Sequence, residues 1–364
     1  AGDRLCRDPD LMRRHDLGRE AFLQKVETFA QNSHDTIVSQ VKRMGASLDW
    51  SREAFTLDAT RKNAVNEAFK RLYNMGLIYR GNRIVNWDPK GQTTISDDEI
   101  VYEERTATLY TFYYSKDIPI PVATTRPETK VGDTAIAVHP EGKYKEYIGK
   151  EYACTFCDVQ LTLRVVGDEA ANEDFGTGAV GVTPAHSTTD AEIAERHNLP
   201  AQQVINEYAK MTVSGRLQDK KVLEAREDVV AWMREEGLLE KEEQVSQNVS
   251  TAERTGGIIE PLSKLQWFIA VNKPFTLEHS SIPGIQSGTE TTLKEVMKKV
   301  VESRAITITP DRFEKIYYHW VDNLRDWCIS RQIWYGHRVP VWYKDEELHV
   351  GESAPSEEWK QDED

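Results

Sequence analysis

The sequence predicts an α/β protein in which a β-rich domain is inserted between two α/β segments. Three observations predict it. Apolar residues recur at helical spacing before residue 76, short strands dominate from about 106 to 265, and helices and strands mix again beyond 266. The chain has 364 residues, 39% of them hydrophobic, enough for two or three domains. No run approaches the roughly 18 apolar residues of a membrane span, so no membrane partner is expected. No signal peptide is visible, and the chain opens on Ala1, which reads as a trimmed or partial start.

The elements follow in order. From Arg19 to Met44 the apolar residues Phe22, Leu23, Val26, Phe29, Ile37, Val38 and Val41 fall at helical spacing, with a polar stretch at 31–35 that could break the run. A second helix is predicted from about Asp58 to Met75, with Val65, Phe69 and Leu72 inward and Gly76 as its stop. Gly81-Asn82 reads as a hairpin turn between Leu77–Tyr79 and Ile84–Trp87. Thr106–Tyr114 and Ile118–Thr125 read as a second hairpin, followed by strands at Thr134–Val138, Gln160–Val166 and Ala179–Thr183. Helical period returns at Ser187–His197 and Leu217–Glu236, then a polar stretch from Glu240 to Ser250 precedes the apolar run Leu265–Val271. The domains are therefore expected at 1–105, 106–265 and 266–350, with an acidic flexible tail at 351–364.

Charge and cysteines narrow the chemistry. Lys and Arg total 46 against 60 Asp and Glu, a net charge of −14, which opposes a general nucleic-acid coat but allows a local basic groove. Four cysteines, Cys6, Cys154, Cys157 and Cys328, suit a reducing cytosol better than a disulfide scaffold. Cys154 and Cys157 form a single C-x-x-C, half of a structural zinc site, so inert thiols and no metal are expected.

Four motifs carry candidate chemistry. Ala123-Thr124-Thr125-Arg126-Pro127-Glu128-Thr129 offers hydroxyls and a guanidinium fork that could hold the sugar and phosphate of a nucleotide end; on spacing alone an exposed β-edge and turn is the favoured reading. Phe175-Gly176-Thr177-Gly178 precedes a strand, and its two glycines let the backbone approach a ligand, yet it is no dinucleotide fingerprint. Thr183-Pro184-Ala185-His186 leads into Ser187-Thr188-Thr189-Asp190, which resembles a capping box. Asp190 could instead anchor an ammonium through a charge-assisted bond, and His186 is either a base or a core histidine. Asp326-Trp327-Cys328 through Trp334-Tyr335-Gly336-His337 is either a helix end packed by aromatics or an apolar pocket wall.

Taken together, these motifs resemble the valyl-tRNA synthetase family of the class I synthetases. The resemblance extends over nearly the whole chain through Arg14-His15-Asp16-Leu17-Gly18-Arg19-Glu20-Ala21-Phe22, Gly45-Ala46-Ser47-Leu48-Asp49-Trp50, Val85-Asn86-Trp87-Asp88-Pro89 and Gln266-Trp267-Phe268, in the family's order. It implies parts of a Rossmann-type catalytic core flanking an inserted, β-barrel-like editing domain. A hydrophobic pocket cannot strongly reject an isostere that adds only a hydroxyl, a limit of which this family is itself the standard illustration, so a second, hydrolytic site removes threonine mistaken for valine.

The resemblance implies Asp190, Thr183 and His186 as catalytic residues of that site. It implies Thr124, Thr125, Arg126, Phe175, Gly176 and Gly178 as the contacts to the tRNA end. Trp327 and Trp334 would line the amino-acid pocket of the synthetic site. A cytoplasmic, monomeric parent would use ATP and Mg to join valine to tRNA, while editing needs no cofactor. This sequence lacks both ATP-site motifs, the His-Ile-Gly-His type and the Lys-Met-Ser-Lys-Ser type, so the chain reads as an internal piece. Two positions depart from the family: Gly181 replaces a frequent Lys and Ser187 a frequent Asp, changes that would retune or weaken editing. An isoleucyl enzyme, or a tRNA-end binding module without chemistry, are the alternatives.

Overall fold

The computed structural model describes residues 14–173 and 176–364, so Cys6 and Phe175 lie outside the described residues. The chain divides into two compact units, one of Ala1–Gly81 with Gln266–Asp364 and one of Asn82–Leu265. It is a mixed α/β protein with several sheets.

The first unit begins with one turn, α1 (Arg14–Leu17), and the long helix α2 (Arg19–Arg43). No break forms at 31–35. Gln31 donates to Asp35 at 2.8 Å and Thr36 to the Asn32 carbonyl at 2.8 Å, so the polar stretch is bonded along the helix rather than against it. Helix α3 (Ala59–Asn74) is capped by Asp58, which accepts from the Arg61 N–H at 2.9 Å, and ends where Gly76 turns left-handed. Its buried positions are Asn66 and Phe69; Val65, expected inward, is exposed.

Strand β1 (Ile78–Asp88) runs straight through Gly81-Asn82. Neither residue takes the positive φ that a two-residue hairpin turn needs, so the expected hairpin is extended backbone. Then come β2 (Thr93–Ile95), β3 (Ile100–Phe112), β4 (Val122–Thr124), β5 (Ala135–Val138), β6 (Glu151–Phe156), β7 (Val159–Gly167), β8 (Ala179–Val182), α4 (Thr188–His197), α5 (Val222–Glu235) and β9 (Leu239–Ala252). The polar stretch 240–250 is strand, because β9 pairs antiparallel with the whole of β3 and satisfies its backbone there. That pairing runs through residue 106 without a break, and the unit begins at Asn82 rather than at 106.

Two sheets build the second unit, β4-β3-β9 and β6-β7-β5-β8, the latter joined by one parallel pair, β5 with β7. Neither closes into a barrel, which corrects the barrel-like expectation: alternating strands are legible in sequence, but closure depends on which edges pair. The core is aromatic and aliphatic. Phe156 meets Trp232 of α5 edge-on at 5.0 Å and Phe112 at 5.4 Å, among buried Ile118, Ile120, Leu163 and Met233. Ile193 of α4 packs on Ala135, Ala137 and Val182. Small side chains on that face let the helix lie close to the sheet.

The chain returns through β10 (Glu260–Ile269), β11 (Phe275–Leu277), β12 (Thr289–Thr291), α6 (Leu293–Glu302), α7 (Glu314–Asp322), β13 (Trp327–Cys328), β14 (Val341–Lys344), β15 (Glu347–Val350) and β16 (Lys360–Gln361). The acidic tail is not free. β16 pairs with β14, and Asp362, 4% exposed, accepts from Trp267 Nε1 at 2.9 Å and Tyr343 OH at 2.7 Å. Charge alone suggested a solvated tail; two buried donors waiting for a carboxylate decide otherwise. Among the described residues, no helix is long and apolar enough to cross a membrane.

Candidate functional site

The site is built at the start of α4. Ser187 caps the helix, its hydroxyl accepting from the Asp190 N–H at 3.3 Å. Only half of a capping box forms. The Asp190 side chain turns away from the cap, and its Oδ2 accepts from the Thr183 N–H at 2.8 Å. Its other oxygen has no protein partner among the described residues, although Asp190 is only 8% exposed. A buried carboxylate with a spare oxygen is a receptor for a donor, and an ammonium is the strongest available.

Thr183 is held at both ends. Its amide serves Asp190, while its hydroxyl donates to Asp133 Oδ1 and accepts from Lys130 Nζ at 2.9 Å. Lys130 also donates to Asp133 at 3.1 Å and to the Gly181 carbonyl at 2.7 Å. Asp133 accepts from Tyr114 OH as well. Burial pushes the Asp133 carboxyl above its ordinary range, opposed by the Lys130 ammonium and the two hydroxyls. At position 181 a Cβ would lie 2.2 Å from both Asp133 Oδ2 and Tyr114 OH, so any side chain there would have to displace that pair. A cation nevertheless reaches this spot, from position 130. The sequence reading missed Lys130; the one signal available was a lysine three residues before an aspartate in the turn that leads into β5.

His186 is a strut. Its Nε2 accepts from the Val204 and Ile205 N–H groups at 2.9 and 3.2 Å, and Nδ1 lies 3.2 Å from the Pro261 carbonyl. Both ring nitrogens are occupied, and burial, aided by Arg126, pushes its pKa down to about 4. That geometry fits the core histidine and not the general base.

The threonine strand lies beside β8. Thr124 accepts from the Arg126 N–H at 3.0 Å, which tightens the turn, and Thr125 is half-buried. Gly176 is left-handed, and a Cβ there would come within 2.9 Å of Ala123, so the glycine loop rests on this strand. Gly178 is also left-handed and buried. Arg126 does not present its fork outward. It is bonded to Glu260 and, at 3.3 Å, to Glu128, which also takes a bidentate pair from Arg226 at 2.8 Å. Glu128 is fully buried; burial works against its charge, but Arg226 and Arg126 hold its pKa below the ordinary range.

In the other unit, Trp327 sits in β13, 51% exposed, and Trp334 meets Phe22 edge-on at 5.6 Å. Of the thiols, burial pushes Cys154 up to about 11 and Cys157 up to about 12, so neither is a ready nucleophile. Among the described residues, no three His, Cys, Asp or Glu side chains cluster as metal ligands.

Comparison with known proteins supplies the family. A model of the class I tRNA synthetases (I, L, M and V) matches residues 6–364. The chain is 41% identical over 360 residues to the valine–tRNA ligase of Halalkalibacterium halodurans, covering 96% of this chain and 39% of that protein. It is 43% identical over 361 residues to the valine–tRNA ligase of Bacillus licheniformis, and 43% over 359 residues to that of Streptomyces coelicolor, each with the same coverage. It thus spans about two fifths of the length of these relatives. A solved LeuRS–tRNA–LeuAMS complex from Agrobacterium radiobacter K84 is 19% identical, covering 80% of this chain and 43% of that one with a TM-score of 0.26, an overlap too slight to bear on the fold. On the extent of the family match, the chain belongs to the class I tRNA synthetases of the isoleucyl, leucyl, methionyl and valyl group.

Proposed function

We propose that the chain is part of a valine–tRNA ligase and that its inserted unit hydrolyses threonine from wrongly charged valine tRNA. The observation that carries the reading is the Asp190 carboxylate, buried, fixed by the Thr183 N–H and left with one oxygen to spare. That oxygen takes the α-ammonium of the aminoacyl ester. Thr124, Thr125 and the Gly176–Gly178 loop receive the terminal adenosine. A bound water attacks the ester carbonyl, the bond to the ribose oxygen breaks, and threonine and free tRNA leave. Positioning and electrostatics supply the acceleration, without an enzyme nucleophile.

The parent joins valine to its tRNA with ATP and Mg, with Trp327 and Trp334 beside the amino acid. This chain has neither ATP-site motif and, among the described residues, no cluster of metal ligands, so its own residues fit no step through either group. A cytoplasmic, monomeric parent accords with the reading.

Deacylation of threonyl-tRNA bearing the valine anticodon tests the proposal. The chain should release threonine, and Asp190→Ala should release it at least tenfold more slowly. Tight binding of that tRNA without turnover would favour a docking module, and faster release of valine from isoleucine tRNA would favour the isoleucyl reading.

A further inference from the structure

Resting on that reading of the site, we propose that Lys130 and Asp133 are positioning residues for Asp190, acting through Thr183. The argument begins with hydrogen-bond valence. An ammonium has three protons. Lys130 spends all three inside the protein, on Asp133 Oδ1, the Gly181 carbonyl and the Thr183 hydroxyl. With the lysine 6% exposed, nothing of it is left for a ligand. Burying an ammonium is costly unless it is fully partnered, and this one is, so the part Lys130 plays lies in what it holds.

What it holds is Thr183. That residue is 2% exposed, and its hydroxyl is clamped between Lys130 and Asp133 while its N–H grips Asp190. A threonine buried to this degree is poorly placed to touch substrate itself. It transmits the clamp to the Asp190 carboxylate and fixes which oxygen stays open. Asp133 is in turn fixed from its far side by Tyr114 OH, and Gly181 is kept bare because any Cβ would strike that pair.

The test uses the full chain and a non-hydrolysable probe, 3′-threonylamino-3′-deoxyadenosine, which carries the α-ammonium and the terminal nucleoside. Its Kd is measured by calorimetry for the native chain, Lys130→Met, Thr183→Val, Thr183→Ser and Asp190→Asn, with thermal unfolding alongside. Valine is isosteric with threonine, so T183V keeps the packing if K130M does not fold. K130M and T183V should each weaken binding about tenfold, and T183S should bind at least fivefold tighter than T183V. Added to D190N, K130M should weaken binding no further, because the carboxylate it positions is gone. Native-like binding by folded K130M or T183V, a T183S no better than T183V, or full additivity with D190N would overturn the positioning role. No binding by the native chain would overturn it too. Binding of the probe without hydrolysis of threonyl-tRNA would instead overturn the deacylase reading and leave these comparisons to judge the clamp.

Discussion

Two ion clusters lie buried in the inserted unit, and they differ in what they leave over. Arg126, Glu128, Arg226 and Glu260 set two guanidinium groups against two carboxylates, with Glu128 taking bonds from both arginines. The cluster is closed. Lys130, Asp133 and Asp190, joined through Thr183, set one ammonium against two carboxylates and keep one Asp190 oxygen unspent. Burial and charge are common to both clusters. Leftover valence separates the two clusters: the one around Asp190 keeps an acceptor unspent, and the one around the more conspicuous arginine keeps none, which is why the proposed recognition of substrate rests on Asp190.

The comparison breaks first at Glu128. Glu128→Ala leaves the part-buried Arg226 without its bidentate partner and Arg126 with Glu260 alone, and should cost about 3 kcal/mol of stability in urea unfolding, the lower end for a broken buried pair. A loss below about 1 kcal/mol would show that the closed cluster is not structural. Gly181→Ala forces a methyl into the Asp133–Tyr114 contact and should cost about 3 kcal/mol, the upper range of overpacking, with weaker threonyl-tRNA hydrolysis.

His186 senses both clusters, through Arg126 of one and Lys130 of the other. Its folded pKa of about 4 lies below the ordinary 6.5, so its contribution is present above 6.5 and is lost as pH falls towards 4. Stability should drop by about 2 kcal/mol between pH 7 and pH 5, and a flat profile there would refute the strut. Asp190→Asn is the mildest for the fold. The amide oxygen still accepts from the Thr183 N–H, so stability should change by less than about 1 kcal/mol while hydrolysis falls at least tenfold.

The architecture was legible where side chains alternate or recur with a strong period. Short strands such as β5, β7 and β8, and helices α3 and α4, stand at the segments whose apolar spacing marks them. Tertiary pairing decided the rest. Gly81-Asn82 looked like a turn but extends, and the polar stretch Glu240–Ser250, without an apolar period to mark it, pairs along β3. The tail looked solvated, yet Trp267 and Tyr343 needed the Asp362 carboxylate. At the site, residue types at motif spacing brought Asp190, Thr183, Gly176 and Thr124 into view. Spacing could not say that both His186 nitrogens are consumed by backbone, that Arg126 faces two glutamates, or that a lysine fifty-three residues before Thr183 clamps its hydroxyl. Those facts depend on partners distant in the chain.

The most direct measurement compares hydrolysis of threonyl and valyl esters on the same valine tRNA by the chain and by Asp190→Asn. The account predicts threonine released at least tenfold faster than valine by the native chain, and a collapse of threonine release in the variant. Equal release of the two amino acids, or threonine release untouched by Asp190→Asn, would contradict it.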